Sequence, residues 1–345
     1  MAIKPTYNAG TRQPDEVYKA YREMGMEWVQ LSFSEEELNI ETMQKEINRL
    51  AAYHLKPWSI NCMTLQKDPV IHLNLTEYKG QPADRDTEIA KFIQLIKLCS
   101  HFGVKYTSVA WQPVGVKRSD RGHIGELSHG AVCGYCDFNE ILSRPNDFDR
   151  EYTYEEVWDN FAYFLRMVTP ACKEYDVQLL LHPNDPPMPS YNGIASLIHN
   201  SDGYRKMIEL DKAHICQVKF CIGCWIENAQ FGDVIEDFKE FQAQGRIADV
   251  HFRNISAPLP VFEETNIEDG YRNMWEIMKA IIASGYEGAI SPDHVLGGFQ
   301  HEGYAFSNIA SQISFMKGLI YAAERECGAL ADPTKAAGRV MSGPF

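Results

Sequence analysis

The stretch Val177–His182 reads Val-Gln-Leu-Leu-Leu-His and is a short apolar run that ends on a possible metal ligand. Continuous apolar runs of this length are typical of parallel strands that are covered on both faces. Two later runs follow the same pattern: Cys216–Cys221 (Cys-Gln-Val-Lys-Phe-Cys) and Ala248–Phe252 (Ala-Asp-Val-His-Phe), which contains His251. These runs predict buried parallel strands with chemically active side chains at their carboxyl ends.

Further strand candidates alternate with long amphipathic stretches. The remaining predicted strands are Glu27–Phe33, Pro57–Met63, Tyr106–Trp111 and Glu287–Ser291, and a less obvious strand is expected at Lys4–Asn8. The predicted helices are Pro14–Met24, Glu36–His54, Asp84–Phe102, Tyr154–Glu174, Asp202–Leu210, Val234–Gln244, Tyr271–Ser284 and Tyr304–Glu326. Regular alternation of strand and helix predicts a parallel sheet.

This pattern predicts an α/β fold of the (β/α)₈ TIM-barrel type. We expect one barrel domain over residues 1–326, because barrels commonly reach this length as a single unit. An open doubly wound sheet is the alternative. The sequence has no Gly-x-Gly-x-x-Gly after an early strand and no Walker-type glycine loop, which disfavours that alternative.

Two segments fall outside the regular pattern. Gln112–Arg150, an insertion at about residues 112–150, is far longer than an ordinary strand-to-helix loop, and we interpret it as a lid over the barrel mouth. Its Cys133 and Cys136 form a Cys-x-x-Cys pair with a zinc-ribbon-like counterpart at Cys221 and Cys224, but their wide separation is poor support for zinc. The tail at residues 327–345 is rich in Gly, Pro and Ala, and we expect it to be extended and to reach a neighbouring subunit of a homo-oligomer.

Composition excludes several classes of function. The formal net charge of −14 repels nucleic acid and anionic membranes, so neither is an expected partner. The nine cysteines are an odd number and do not indicate a secreted disulfide framework. The first residues lack the apolar core of a signal peptide, and no apolar run is long enough for a membrane span. We expect a soluble, cytoplasmic protein.

The strongest chemical signal is the placement of four side chains at predicted strand ends. They are His182, Cys221, His251 and Asp293. In a barrel the carboxyl ends of successive strands meet at one mouth, so residues far apart in sequence form one group. Two imidazoles, a thiolate and a carboxylate suit a divalent ion such as Mn²⁺, Zn²⁺, Fe²⁺ or Co²⁺. Hydrogen-bonded structural roles for the individual residues are the alternative.

Four motifs in this order resemble a known family. They are His182-Pro183-Asn184-Asp185-Pro186-Pro187, Phe220-Cys221-Ile222-Gly223-Cys224, His251-Phe252-Arg253-Asn254 and Pro292-Asp293-His294. Together they resemble the motifs of the D-mannonate dehydratases, and the resemblance extends from about Pro57 to Ala323. It implies a xylose-isomerase-like barrel, of which this chain is a divergent member.

The resemblance implies roles for individual residues. It implies a metal, usually Mn²⁺, with Zn²⁺, Co²⁺, Fe²⁺ or Mg²⁺ as alternatives, held by the same four strand-end side chains. It implies that His294 and Tyr304 are the catalytic acid and base, without deciding which is which. Among expected substrate-binding residues, Asp185 belongs to the first motif. Arg253 is a candidate clamp for a carboxylate, or else a salt bridge on the barrel rim. Trp111 would stack on a sugar, or else pack in the core.

The chain also departs from the family pattern. Asn184 and Ser291 stand where the family usually has an acidic and a basic residue, respectively. Phe262–Met274 lacks the family's histidines, and Val295 replaces the usual glycine after His294. These changes predict a related enzyme with a different substrate.

The expected function is metal-dependent dehydration of an aldonic or uronic acid to a 2-keto-3-deoxy acid. A divalent metal stabilises the charge that develops when the α-proton leaves, while an acid and a base move the protons. The alternatives are an isomerase or epimerase of the same barrel superfamily, and a non-catalytic homologue that binds a sugar acid. Nuclease relatives of this barrel use more metal ligands and a basic face, which the net charge disfavours.

Overall fold

Nine parallel strand segments form one curved sheet in the computed structural model, which describes residues 3–297 and 305–328. The segments are β1 Lys4–Pro5, β2 Asn8–Gly10, β3 Trp28–Phe33, β4 Lys56–Cys62, β5 Tyr106–Ala110, β6 Gln178–His182, β7 Cys216–Cys221, β8 Ile247–His251 and β9 Ala289–Ser291. In the sheet they follow the order β1-β9-β8-β7-β6-β5-β4-β3-β2.

The two ends of this sheet are parts of one N-terminal strand. Segment β1 pairs with β9 and β2 pairs with β3, with only Thr6 and Tyr7 between them. The amide of Thr6 donates to the carbonyl of Ile290 at 2.8 Å, and the carbonyl of Tyr7 accepts from the amide of Gln30 at 2.9 Å. The sheet therefore closes into an eight-stranded barrel. The predicted TIM-barrel class and the strand near Lys4–Asn8 are confirmed, and the open-sheet alternative is wrong.

Eight longer helices surround the barrel in the described part of the chain. They are α1 Asp15–Glu23, α2 Ile40–Ala52, α3 Arg85–His101, α4 Tyr154–Tyr175, α5 Ser201–Leu210, α6 Val234–Ala243, α7 Met274–Ala283 and α8 Ala305–Glu326. Their apolar faces cover the strands, as the periodicity of α4 illustrates: Val157, Phe161, Phe164 and Leu165 are all buried. No helix among residues 3–297 and 305–328 combines the length and apolarity that a membrane crossing requires.

Side-chain caps determine where the helices begin. The amide of Thr42 donates to Asn39 Oδ1 at 2.9 Å, so α2 starts at Ile40, four residues after the predicted Glu36. Glu35–Glu37 instead forms a separate 3₁₀ turn. Helix α4 starts at the predicted residue because Thr153 and Glu156 form a reciprocal capping box.

The insertion at residues 112–150 has its own secondary structure. Its strands Asp120–His123 and Cys133–Asp137 form an antiparallel sheet with Val261–Glu263, which lies in the loop after β8. A 3₁₀ turn at Glu126–Ser128 and a helix at Phe138–Ser143 complete it. The insertion is therefore hydrogen-bonded to a second loop at the carboxyl end of the barrel.

Several shorter elements connect the barrel units. They are the helices Met63–Gln66, Pro69–Leu73 and Ile222–Glu227, and the hairpin strands Glu77–Tyr78, Gln81–Pro82, Ser190–Tyr191 and Ile194–Ala195. All nine cysteines are free thiols. The predicted extended tail falls, from residue 329 onward, outside the described residues.

Candidate metal centre

Four neighbouring strand ends bring the predicted ligands together. His182, Cys221 and His251 are the last residues of β6, β7 and β8, and Asp293 follows two residues after β9. One nitrogen, sulfur or oxygen atom from each of the four lies within 4.8 Å of those of the others. The parallel register of the barrel thus produces the cluster that strand-end position predicted.

His182 is oriented by its own backbone environment. Its Nδ1 lies 2.7 Å from the carbonyl oxygen of Pro183, so the ring donates its Nδ1 proton there. The other nitrogen, Nε2, then keeps its lone pair, which is the form of histidine that binds metals. The centre of its ring lies 5.1 Å from that of His251.

Cys221 is buried in an environment that favours a thiolate. Burial alone would raise the pKa of its thiol, but a hydrogen bond from Cys224, the charge of Arg253 and the two imidazoles hold that pKa well below its usual range. A thiolate is the form in which cysteine binds metals.

His251 and Asp293 form a close pair in the same cluster. Nδ1 of His251 lies 3.2 Å from Oδ2 of Asp293. Burial would lower the pKa of His251, yet this carboxylate raises it to about 9. The same nitrogen is buried and makes no hydrogen bond of good geometry among the described residues. An orphaned ring nitrogen beside a thiolate and a carboxylate fits a site for a divalent cation.

A cavity of about 200 Å³ opens beside the cluster, inside the mouth of the barrel. Its walls include His182, His251 and Asp293, and also His294, Lys67 and Ser291. Three of the four candidate ligands are only half-buried and face this space, whereas Cys221 is fully buried behind them. Catalytic metal sites characteristically keep such an open side for a substrate.

His294 lies at the edge of this cavity and is held from behind by Glu264. Nδ1 of His294 is 2.7 Å from Oε1 of Glu264, while Nε2 is 3.7 Å from Oδ2 of Asp293. Arg253 Nη1 also lies 2.6 Å from Nδ1, but its two protons have acceptors in Asp185 and Glu264. We therefore assign the Nδ1 proton of His294 to Glu264, which leaves a lone pair on Nε2.

Glu264 belongs to a buried network of two arginines and three carboxylates. Arg118 Nη1 lies 2.5 Å from Asp185 Oδ1, and its Nη2 lies 2.5 Å from Glu264 Oε1. Arg253 Nη1 lies 3.1 Å from Asp185 Oδ2, and its Nη2 donates to Glu227. Charges this deeply buried are tolerated because they are paired and hydrogen-bonded.

The network is closest to neutral when one of the carboxyls is protonated. Burial raises the pKa of Asp185, but Arg118 and Arg253 outweigh burial and hold it well below the usual range. The pKa of Glu264 is also lowered against burial, chiefly by Arg253 and His294. Burial and the charge of Asp185 instead raise the pKa of Glu227 well above its usual range. With Glu227 protonated, the positive charges of the two arginines are balanced by the ionised carboxylates of Asp185 and Glu264.

The predicted substrate-binding residues do not reach the cavity. Arg253 is 1% exposed, Asp185 is fully buried, and both are committed to the network, so Arg253 is not a free carboxylate clamp. Arg253 does form salt bridges, as its alternative interpretation expects, but these bridges are buried and do not lie on the barrel rim. Trp111 is 2% exposed and packs against His72, Phe161 and Phe164, which favours its interpretation as a core residue.

Two departures from the family pattern have local explanations. Asn184 fastens the loop after β6: its Oδ1 accepts from the amide of Ile198 at 3.0 Å, and its Nδ2 donates to the carbonyl of Trp111 at 3.4 Å. An aspartate would lack that donor. Ser291 is buried in the cavity floor, where its Oγ accepts from Gln30 Nε2 at 3.3 Å, and it adds no charge to the cavity.

Tyr304 and two histidines of the insertion lie outside the described residues or apart from this site. Tyr304 lies outside the described residues. His123 pairs with Glu263 at 3.2 Å, beside Cys133 on the insertion, and exposed His129 pairs with Asp269 at 2.9 Å. In the part of the chain that the structure describes, the two Cys-x-x-Cys pairs do not form one four-cysteine group.

Sequence reasoning missed Glu264, Arg118 and Lys67. Glu264 and Arg118 lie in loops without a recognisable motif, and only the fold brings them to His294. Lys67 follows the short helix at the end of β4, so the strand-end argument applied to cations would have found it.

Comparison with known proteins identifies the family. Residues 137–328, more than half of the chain, match the family model described as D-mannonate dehydratase. The chain belongs to the D-mannonate dehydratase family. All four candidate metal ligands and His294 lie inside the matched range.

Individual relatives cover less of the chain. A mannonate dehydratase of Thermotoga petrophila is 32% identical over 204 residues, which are 57% of this chain and 56% of that protein. One from Geobacillus thermodenitrificans is 31% identical over 180 residues, which are 50% of this chain and 48% of that protein. The chain therefore spans about half the length of the curated relatives that it matches.

A solved structure shows the same fold over almost the whole chain. The mannonate dehydratase of Streptococcus suis serotype 2 superposes with a TM-score of 0.79 at 18% identity, covering 94% of this chain and 95% of that one. The similarity of fold therefore covers more of the chain than the family match at residues 137–328.

Proposed function

We propose that this protein is a divalent-metal-dependent dehydratase that removes water from an aldonic or uronic acid to give a 2-keto-3-deoxy acid. One observation carries the proposal. Four strand-end donors converge within 4.8 Å beside His294, in a stretch of chain that matches the D-mannonate dehydratases. Mn²⁺ is the proposed metal, because the family resemblance implies it and the mixed donor set accepts it.

His182, Cys221, His251 and Asp293 would hold the metal. When bound there, a divalent ion would stabilise the negative charge that develops on a sugar acid as its α-proton leaves. The remaining steps fall to the side chains around the cavity.

His294 exchanges a proton with the substrate at Nε2. Its Nδ1 proton is committed to Glu264, so Nε2 keeps its lone pair on a residue that lines the cavity. The carboxylate behind the ring stabilises the imidazolium form that exists after proton uptake. The family resemblance implies Tyr304 as the second acid–base group without fixing its role, and with His294 as the base we assign to Tyr304 the delivery of a proton to the leaving hydroxyl.

The walls of the cavity supply the rest of the binding site. Barrel side chains enclose a space of about 200 Å³ and limit the water that reaches the reacting atoms. A small sugar acid is accordingly the proposed partner, and a cytoplasmic location and homo-oligomeric assembly remain predictions from the sequence.

A substrate screen tests this proposal. The purified protein, stripped of metal and reloaded with Mn²⁺, is incubated with C5 and C6 aldonates and uronates, and 2-keto-3-deoxy products are detected with semicarbazide. We expect product from at least one acid, and none from the stripped protein. Exchange of the α-proton with D₂O without a keto-deoxy product would replace the dehydratase with an epimerase or isomerase. Absence of both turnover and exchange would favour a binding protein.

A further inference from the structure

Lys67 is placed at the active-site cavity by its neighbours in the chain. It follows the short helix Met63–Gln66, which continues from the carboxyl end of β4. Asp68, the next residue, caps the following helix by accepting hydrogen bonds from the amides of Val70 at 2.7 Å and Ile71 at 3.1 Å. With the backbone fixed on both sides, the side chain of Lys67 lines the same cavity as His251 and Asp293.

Lys67 differs from Lys219, the other lysine that lines the cavity, because its charge is unpaired. Lys219 also lines the cavity, but its Nζ lies 3.2 Å from Asp249 Oδ2 and 3.0 Å from Gln30 Oε1. Arg118 and Arg253 are enclosed in the buried network. Within residues 3–297 and 305–328, the ammonium group of Lys67 donates no hydrogen bond, and no carboxylate oxygen lies within 4.0 Å of it.

An unpaired ammonium in a confined cavity is unfavourable until an anion arrives. Burial lowers the pKa of Lys67, while the more distant charges of Asp185 and Asp293 oppose this shift. An anionic ligand would restore the interactions that the ammonium loses on leaving water. The unpaired ammonium group of Lys67 therefore indicates that the ligand of this cavity carries a negatively charged group.

We propose that Lys67 binds the carboxylate of the sugar acid and makes the cavity selective for acids over neutral sugars. This inference rests on the proposed function, and it gives Lys67 the role that the buried Arg253 is unable to fill. Lys67 acts as a substrate-binding residue on the cavity wall, and it takes no part in holding the metal.

A carboxylate fits the cavity better than a phosphate. Lys67 offers one unpaired positive charge, which matches a carboxylate monoanion. A phosphate ester carries nearly two negative charges at neutral pH. The negative charges of Asp185 and Asp293 act on Lys67 together with the positive charges of Lys219 and Arg121, so the surroundings add little net positive charge for the second charge of a phosphate. The space of about 200 Å³ is also small.

Binding measurements on the full-length, Mn²⁺-loaded protein test the inference. Wild type, Lys67→Met, Lys67→Arg and the control Lys19→Met, at an exposed site on α1, are titrated calorimetrically with C5 and C6 aldonates. Parallel titrations use the alditol with the same carbon skeleton and a sugar phosphate. Metal content is measured for each variant by elemental analysis.

We expect Lys67→Met to weaken aldonate binding about tenfold or more, as loss of a charge-assisted hydrogen bond does. Alditol binding and metal content should not change, Lys67→Arg should recover part of the affinity, and Lys19→Met should match wild type. Aldonate binding by Lys67→Met within twofold of wild type would overturn the inference. The inference would also be overturned if wild type bound aldonate and alditol with equal affinity, or bound no aldonate at all. A third contrary result would be a sugar phosphate that binds wild type more tightly than aldonate does and loses that affinity in Lys67→Met.

Failure of the proposed function gives a different result. Aldonate binding that depends on Lys67 without a keto-deoxy product would remove the dehydratase activity and leave the carboxylate site in place. Conversely, dehydration with the same KM in wild type and Lys67→Met would support the dehydratase and remove Lys67 from substrate binding.

Discussion

Nδ1 of His294 lies 2.7 Å from Oε1 of Glu264, a residue 30 positions earlier in the chain. Glu264 comes from the loop after β8, just beyond the strand that joins this loop to the insertion. The imidazole of His294 therefore lies where the barrel contacts the loop after β8, which is itself paired with the insertion. His294 also has a left-handed backbone, with φ of 51°, so its position depends on the surrounding contacts.

The first prediction concerns this pair. Glu264→Gln keeps the size of the side chain but removes the charge that orients and stabilises protonated His294. We expect kcat to fall on the order of 100-fold, the scale of general acid–base catalysis, while metal content stays unchanged. Steady-state kinetics and elemental analysis measure both quantities.

Glu263→Gln is the matched control, because Glu263 faces the insertion, where it accepts from the amide of Leu127 and pairs with His123. It should keep wild-type kcat. Wild-type kcat in Glu264→Gln, or loss of its metal, would show that Glu264 does not act through His294.

The second prediction concerns the metal ligands. Cys221→Ala or His251→Ala removes one of four donors, and we expect either variant to lose the metal during purification in buffer without added metal. Cys216→Ala, at the other end of β7, is the control and should retain it. Full metal occupancy in both ligand variants, measured by elemental analysis, would eliminate the proposed site.

The barrel and its strand ends could be predicted because both depend on local patterns. Short apolar runs mark buried strands, and parallel topology places the carboxyl ends of those strands together, so strand-end position alone predicts that His182 and Cys221 are neighbours. The surroundings of Arg253 depend on long-range packing instead. Its partner Glu264 is close in sequence, but Asp185 and Arg118 arrive from separate loops, and sequence spacing carries no sign of them.

The third prediction concerns the stability of the buried network. Arg118→Met leaves Asp185 and Glu264 with a single arginine between them, and removing one partner of a buried ion pair typically costs about 3–5 kcal/mol. We expect the free energy of unfolding in urea to fall by about this amount. Lys239→Met, which removes an exposed pair with Glu236, is the control and should cost about 1 kcal/mol or less. Equal effects of the two variants would mean that the network contributes no more than a surface pair.

The fourth prediction is the acid sensitivity of the same network. The pKa of Asp185 is held well below its unfolded value of 3.8, so the unfolded chain binds a proton there at a higher pH than the folded protein does. Asp185 therefore stabilises the fold above about pH 4, and this contribution disappears as the pH falls toward its folded pKa. We expect Asp185→Asn to be less stable at pH 6 and to lose stability less steeply between pH 4 and pH 2.

Urea unfolding of metal-free protein at each pH measures this dependence. Asp176→Asn, at a position where the side chain is 86% exposed, is the control and should follow the wild-type curve. If Asp185→Asn also follows the wild-type slope, the carboxyl is not ionised within the network.

The fifth prediction concerns Tyr304, which the family resemblance pairs with His294. Tyr304→Phe removes only the phenolic hydroxyl, so the four metal donors should be unaffected. If this hydroxyl transfers the proton that the leaving group needs, kcat should fall on the order of 100-fold or more, while metal content and aldonate affinity stay at wild-type values. Tyr321→Phe, an exposed tyrosine of α8, is the matched control. Unchanged turnover in Tyr304→Phe would leave His294 as the acid and the base of the same reaction, and the proton removed from the substrate would then return to its leaving hydroxyl.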